Sequence, residues 1–141
     1  MMHLMDTDHI SLVDRGNTAG QNIKQRLANI PPDDVAVSII SYEEQIRGWT
    51  SVIAQARTVE RQLPFYSELE RVLRFYCITP LLQFDARAAR EFVHLRQAGV
   101  RIGTMDLKIA SIALANDAIV LTCNLVDFSK VPNLKYEDWS A

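Results

Sequence analysis

Carboxylates stand where chemistry is easiest to build in an α/β chain. Asp6 and Asp8 close the stretch "MMHLMDTDHISLV". His3-Leu4-Met5 reads as the tail of a short buried strand, and Ile10, Leu12 and Val13 read as the start of a helix. Both acids therefore fall where a strand ends and a helix begins, the edge at which open parallel sheets bind ligands. Glu44, in "SYEE", is expected in the first turn of the helix after the second strand. Asp106 falls in the first turn of the helix "GTMDLKIASIALAND", and Asp127 follows the fourth strand in "TCNLVDF". Four acids meeting at one sheet edge, Asp6, Glu44, Asp106 and Asp127, repel and stay ionised together only around a cation. Oxygen ligands without His or Cys select Mg²⁺ or Mn²⁺. Carboxylate-held Mg²⁺ suits phosphodiester chemistry, because it polarises phosphate and generates a hydroxide nucleophile.

Each acid also has a purely structural explanation. Asp6 or Asp8 can cap a helix. Ser41 and Glu44 form an S-x-x-E capping box, and Glu44 lies opposite its helix's apolar stripe, where water would solvate it. Asp106 suits a helix macrodipole, and Asp127 suits a turn. Only the set points to chemistry. Other reactive sets are missing: no G-x-G-x-x-G or Walker-type loop exists, and His3, His9 and His94 lack ligand spacing. His94 reads as a structural histidine within a helix. Arg47 and Lys108 lie near proposed site residues, where either phosphate contact or solvation would account for them.

The elements that must position these acids alternate. Strands are expected at Met2–Met5, Val35–Ser38, Cys77–Thr79, Ile119–Thr122 and Leu134–Tyr136. One helix starts near Tyr42, with Tyr42, Ile46, Trp49 and Ile53 as a single apolar stripe whose Trp49 serves helix packing. Leu69, Val72, Leu73 and Tyr76, after Pro64, give a separate apolar face on Arg57–Tyr76, expected to meet a partner or second subunit. A helix capped by Asp85 stops at Gly99. The next has Thr104 as its expected cap and is apolar nearly all round, as in a buried helix. Strands separated by helices imply a parallel sheet covered on both faces.

The totals agree. The 141 residues are expected to form one domain, 1–141, and are 48% hydrophobic and 23% charged, an ordinary globular composition. Cys77 and Cys123 are far apart and read as buried small hydrophobes in a reducing compartment. No signal peptide or membrane span is legible, so a cytoplasmic protein with no membrane role is expected. Net charge is −2, but setting four of the 17 acids aside as ligands leaves 13 against 15 basic residues. A polyanionic substrate bound locally in a cleft is compatible with that balance.

"LMDTDHIS", "SIISYEEQIRG", "GTMDLKIASIALA", "LTCNLVDF" and "VPNLKYEDW" resemble, in order and spacing, the PIN-domain ribonucleases of the VapC toxin type. The likeness runs over nearly the whole chain and is strongest in its last third. It implies a three-layer α/β/α sandwich around a parallel sheet of four to five strands. Asp6 matches the aspartate of D-T-N or D-T-D, and Glu44, four residues before Gly48, matches the family's glutamate. Asp106 matches the aspartate of G-x-x-D-L, and Asp127 the final acid of T-x-N-x-x-D/E-F, with Thr122 and Asn124 as polar support. The resemblance implies Mg²⁺-dependent cleavage of RNA (Mn²⁺ substituting), a homodimer, and inhibition by a cognate antitoxin covering the site. Asp6 and Asp106 would be the main metal ligands. Glu44 and Asp127 would complete the acidic cluster, with Thr7, Asn124 and Lys108 supporting it or binding substrate. Asp8 stands where Asn is common, and Cys123 fills a position that is often polar. Two alternatives are a PIN-like module that binds RNA or protein without cutting, and an aspartate-based phosphotransferase or receiver domain. The latter lacks its phosphoacceptor after the third strand, where this chain reads "CITPLLQ".

Overall fold

A computed structural model describes residues 1–141. Its five short strands are β1 His3–Met5, β2 Val35–Ser38, β3 Leu81–Leu82, β4 Ile119–Leu121 and β5 Lys135–Glu137. They lie in the order β3-β2-β1-β4-β5, and every neighbouring pair is parallel. The helices are α1 Thr7–Arg15, α2 Thr18–Leu27, α3 Ile39–Gln55, α4 Val59–Ile78, α5 Ala86–Gln97, α6 Thr104–Ala115 and the short α7 Leu125–Phe128.

Alternation along the strands divides the interior into two cores. Leu4 and Val120 point to one face, where Leu107, Ile109, Ile112 and Phe128 pack. Met5, Val37 and Leu121 point to the other, joined by Ile10, Ile23, Val72 and Trp139. Helices therefore cover both sides, which explains why residues 4–5, 35–37 and 119–121 run apolar without a polar alternate. The result is the expected three-layer α/β/α sandwich. Helix α6 buries Leu107, Ile109, Ala110, Ile112 and Ala113 completely, as its nearly uniform apolar composition requires. Close approach of α1 and α2 depends on Gly20. A Cβ there would lie 2.1 Å from the Leu12 carbonyl oxygen, so no side chain fits. No helix is long and apolar enough to cross a membrane.

β1 occupies the middle of the sheet. The chain builds outward through β2 to β3, then crosses back to place β4 against the free side of β1. Strand order thus reverses between β1 and β4, which opens a crevice at their carboxyl ends. Register puts Met5 beside Leu121, and the Asp6 amide donates to the Leu121 carbonyl at 2.9 Å. Residues 6 and 122 are therefore neighbours across that crevice.

Several sequence expectations need correction. Cys77–Thr79 is not a strand: α4 runs through Pro64 and on to Ile78, and the third strand is the two residues Leu81–Leu82. The apolar run was shared between a helix end and an edge strand. α3 begins at Ile39, directly from β2, because the Ser38 hydroxyl accepts from the Ser41 amide at 3.1 Å. The α6 cap position is Gly103, with no side-chain bond, so Thr104 is its first helical residue. Both cysteines are exposed, since Cys77 sits on the outer side of α4 and Cys123 in the loop after β4. The expected outer face of α4 is split. Val72 and Tyr76 turn into the core, whereas Leu73 remains 49% exposed. The Tyr42–Ile53 stripe packs inward as expected, with Trp49 6.2 Å from Phe65 of α4.

Candidate functional site

Asp6 is both a cap and a site residue. One carboxylate oxygen accepts the Thr7 amide at 2.7 Å, closing the start of α1; the other accepts from the Thr122 hydroxyl at 3.0 Å. The residue is only 5% exposed. Burial, then the neighbouring Asp8 and Asp106 charges, push its carboxyl from the ordinary 3.8 up to about 7, against the opposing bonds from Thr7 and Thr122.

Glu44 sits in the second turn of α3, not the first, and the capping box is not formed. Ser41 is buried inside the helix, while the Glu44 carboxylate reaches across to α1, accepting from the Thr7 hydroxyl at 2.9 Å. Thr7 also lies 2.9 Å from the Ser41 hydroxyl. Thr7 has one hydrogen and an ionised carboxylate can only accept, so Thr7 donates to Glu44 and receives the Ser41 hydrogen. Glu44 is thus half-buried and held, not simply solvated. Burial raises its pKa, with Asp106 and Glu43 adding to the effect and Thr7 and Arg47 opposing it.

Asp106 occupies the third position of α6, facing all the others. Burial and then Asp127 and Asp8 raise its pKa, while a bond from Asn124 lowers it. Asn124 caps α7, and its amide nitrogen donates to Asp106 at 3.3 Å and to Asp127 at 2.9 Å. Asp127 therefore lies in a helical turn, bridged to Asp106. The crevice brings Asp6, Glu44, Asp106 and Asp127 into one electrostatic group drawn from four separate segments.

Charge compensation in the group is sparse. Lys130 approaches Asp127 at 3.6 Å, but no basic side chain pairs with Asp6, Glu44 or Asp106. Thr122 offers one hydroxyl hydrogen to two acceptors, Asp6 at 3.0 Å and Asp8 at 3.2 Å. One carboxylate is always short of a donor, and a divalent cation among these hard oxygens would relieve both deficits. The donor set fits Mg²⁺ or Mn²⁺.

Asp8, whose role the sequence left open, borders that group and shares the Thr122 hydroxyl with Asp6. It accepts from the His9 ring at 2.9 Å, from Thr122 and from the Cys123 amide at 3.1 Å. The ligand atoms of Asp8, His9 and Cys123 lie within 4.8 Å of one another. Yet the Trp139 amide donates to His9 Nε2 at 3.1 Å, so the network assigns the proton to Nδ1, facing Asp8. That nitrogen has no lone pair for a metal. Lys108 places its ammonium 5.7 Å from the Phe84 ring centre, and Arg47 pairs with Glu43 at 2.7 Å. His94 is exposed.

Sequence reasoning missed Ser41, His9, Lys130 and Tyr76. Tyr76 is buried with an unpartnered hydroxyl, whose pKa is raised by burial and then by the Glu44 and Asp6 charges. Only Lys130, three residues after Asp127 in the turn that follows α7, carried a readable signal, the close spacing of opposite charges. The others depend on contacts between distant segments.

A parallel sheet with an acidic crevice at its switch point defines the class. The family described as PIN domain matches residues 4–134, and the chain belongs to it. Within that family the sequence is similar to Ribonuclease VapC1 of Haemophilus influenzae (strain R2866), 26% identical over 141 residues and 99% of each chain. It is also 28% identical, over 84% of this chain and 85% of the relative, to the tRNA(fMet)-specific endonuclease VapC of Salmonella typhimurium. Among solved structures, VapBC-1 from nontypeable Haemophilus influenzae matches 100% of both chains with TM-score 0.75 and 22% identity. A toxin–antitoxin complex from Klebsiella pneumoniae matches 94% of both chains with TM-score 0.68, also at 22% identity. These structures share the fold.

Proposed function

We propose that this protein is a metal-dependent endoribonuclease, acting in the cytoplasm as the toxin of a toxin–antitoxin pair. One observation carries the reading. Asp6 is buried, with raised pKa, among Glu44, Asp106 and Asp127, and it has no basic partner. A buried carboxylate without a counter-charge is costly, and a hard cation is the missing charge. Asp6 and Asp106 would hold Mg²⁺, with Glu44 and Asp127 completing the cluster. When bound, the metal supplies charge stabilisation to a phosphodiester and lowers the pKa of water.

The protein's own groups do the rest. Glu44, held by Thr7, is placed to orient the attacking water and accept its proton, since burial has already raised its affinity for one. Asn124 keeps Asp106 and Asp127 in register. Lys108 and Lys130 provide positive charge for the phosphate backbone. Hydrolysis would leave a 5′-phosphate and a 3′-hydroxyl, as the family resemblance implies. The named ribonucleases among the relatives support RNA as substrate.

The antitoxin would lie over the groove between α1, α3 and α4, about 870 Å³ in volume. Ile10, Trp49, Val52, Phe75 and Ile78 give it an apolar lining, and Arg15, Lys24, Arg71 and Arg74 also line it. A homodimer would use a separate surface. Partner-free protein incubated with RNA decides the central reading: cleavage with Mg²⁺ or Mn²⁺ that stops with chelator is expected. Cleavage surviving exhaustive chelation would overturn it.

A further inference from the structure

His9 is the one fully buried ionisable ring in the protein, and the chemistry above makes no use of it. Both of its nitrogens are engaged. The Trp139 amide donates to Nε2 at 3.1 Å, and Nδ1–H donates to Asp8 at 2.9 Å. The other Asp8 oxygen receives the Cys123 amide at 3.1 Å and lies 3.2 Å from the Thr122 hydroxyl. Thr122 in turn accepts the Asn124 amide at 3.0 Å. Asn124 then presents its side chain to Asp106 and Asp127. A continuous path of hydrogen bonds runs from the backbone after β5 to the Asp106 and Asp127 carboxylates.

We propose that His9 is a positioning residue: through Asp8 it fixes the Thr122–Asn124 turn, and so sets the Asp106–Asp127 pair. The proposal rests on reading the acidic cluster as a metal site. The tautomer is its working part. Because the Trp139 amide needs a lone pair at Nε2, the ring must present N–H to Asp8. Asp8 is then held on one oxygen by the His9 ring and on the other by the Cys123 amide, which fixes its orientation beside the shared Thr122 hydroxyl. A purely space-filling His9 would need none of these partners.

Two substitutions separate the roles. His9→Asn places an amide near Nδ1, which keeps a donor for Asp8 and loses Trp139. His9→Gln reaches toward Nε2, which keeps an acceptor for Trp139 and loses Asp8. Mn²⁺ affinity by calorimetry and the single-turnover cleavage rate are measured for both, beside their melting temperatures. Loss of a group bonded directly to a metal ligand costs about 10–100-fold in metal affinity or activity; His9 acts at greater remove, so His9→Gln should fall by the lower end, about 10-fold, in both readouts, with KM for RNA little changed. His9→Asn should fall several-fold less, although both variants melt lower than the parent. In an Asp8→Ala background the difference between them should vanish.

Equal losses in the two variants, or a difference that survives Asp8→Ala, would overturn the proposal. If the parent binds Mn²⁺ but cuts no RNA, the nuclease reading fails and the Mn²⁺ affinities still decide the role of His9. If the parent binds no Mn²⁺, the metal reading and the proposal fall together.

Discussion

Replacing Asp6 with Asn should make the metal-free protein more stable, and the gain should depend on pH in a defined way. In the folded chain the Asp6 carboxyl keeps its proton up to about pH 7; its ordinary value is 3.8. Between those values the folded state binds more protons than the unfolded state, so stability falls as pH rises. Moving the carboxyl from 3.8 to about 7 corresponds to roughly 4 kcal/mol against the folded state, fully expressed above the upper value. The substituted amide escapes that cost and keeps the local bonds. Its oxygen can accept the Thr7 amide, and Asn caps as well as Asp. Its NH₂ can donate to Thr122, whose own hydrogen is then free for Asp8. No buried group loses its partner, so the charge effect decides the sign.

At about 3 °C per kcal/mol, Asp6→Asn should melt up to roughly 12 °C above the parent at about pH 8, and level with it near pH 4. Calorimetry with chelator present, across that range, measures it. Saturating Mn²⁺ should reverse the order, because the parent gains stability by mass action and the variant loses a ligand. A variant less stable than the parent at the alkaline end without metal, or a gain independent of pH, would show that Asp6 carries no such burden.

Asp106→Asn should abolish RNA cleavage and shrink the melting shift produced by Mn²⁺; an unchanged shift would make Asp106 a helix-dipole residue only. Glu44→Gln keeps an acceptor for Thr7 while removing charge, so metal-free stability should hold or rise slightly and cleavage should fall by orders of magnitude. Glu43→Gln, whose partner is the exposed Arg47, serves as the control and should be mild in both assays. Val52→Asp and Ile78→Asp, at exposed groove positions, should weaken antitoxin capture in a pull-down with the cognate partner while leaving Mn²⁺ affinity intact. Capture unchanged by both would place the partner elsewhere.

What the sequence could reveal tracked how local each cause was. The buried helix α6 announced itself through unbroken apolar composition, and β1, β2 and β4 through short apolar runs next to helix signals. β3 was misplaced because it has only two residues and follows a helix whose own apolar end looked like a strand. The Ser41–Glu44 spacing imitated a capping box because β2 passes into α3 without a loop, moving the true cap back to Ser38. Placement of Asp6, Asp106 and Asp127 at sheet and helix junctions was legible, since junctions are local and a parallel sheet aligns them, whereas Glu44 lies one turn farther into α3 than its sequence suggested. Their fastenings were not. Thr7 to Glu44 spans 37 positions and Thr122 to Asp6 spans 116, and no window on the sequence contains both ends.

The central place of β1 also sets when the acidic site can exist. β1 precedes every other strand in synthesis, but β4, which supplies its second neighbour, begins only at Ile119. Until then Asp6 borders an open strand edge, and Thr122, Asn124 and Asp127 have not been made. Contacts this distant in sequence form late, after loop-closure entropy has been overcome. A growing chain therefore carries Asp6 and Glu44 through most of its synthesis without an assembled centre. Completion waits for the segment from β4 onward, so a chain cut short anywhere before Ile119 can hold no assembled centre.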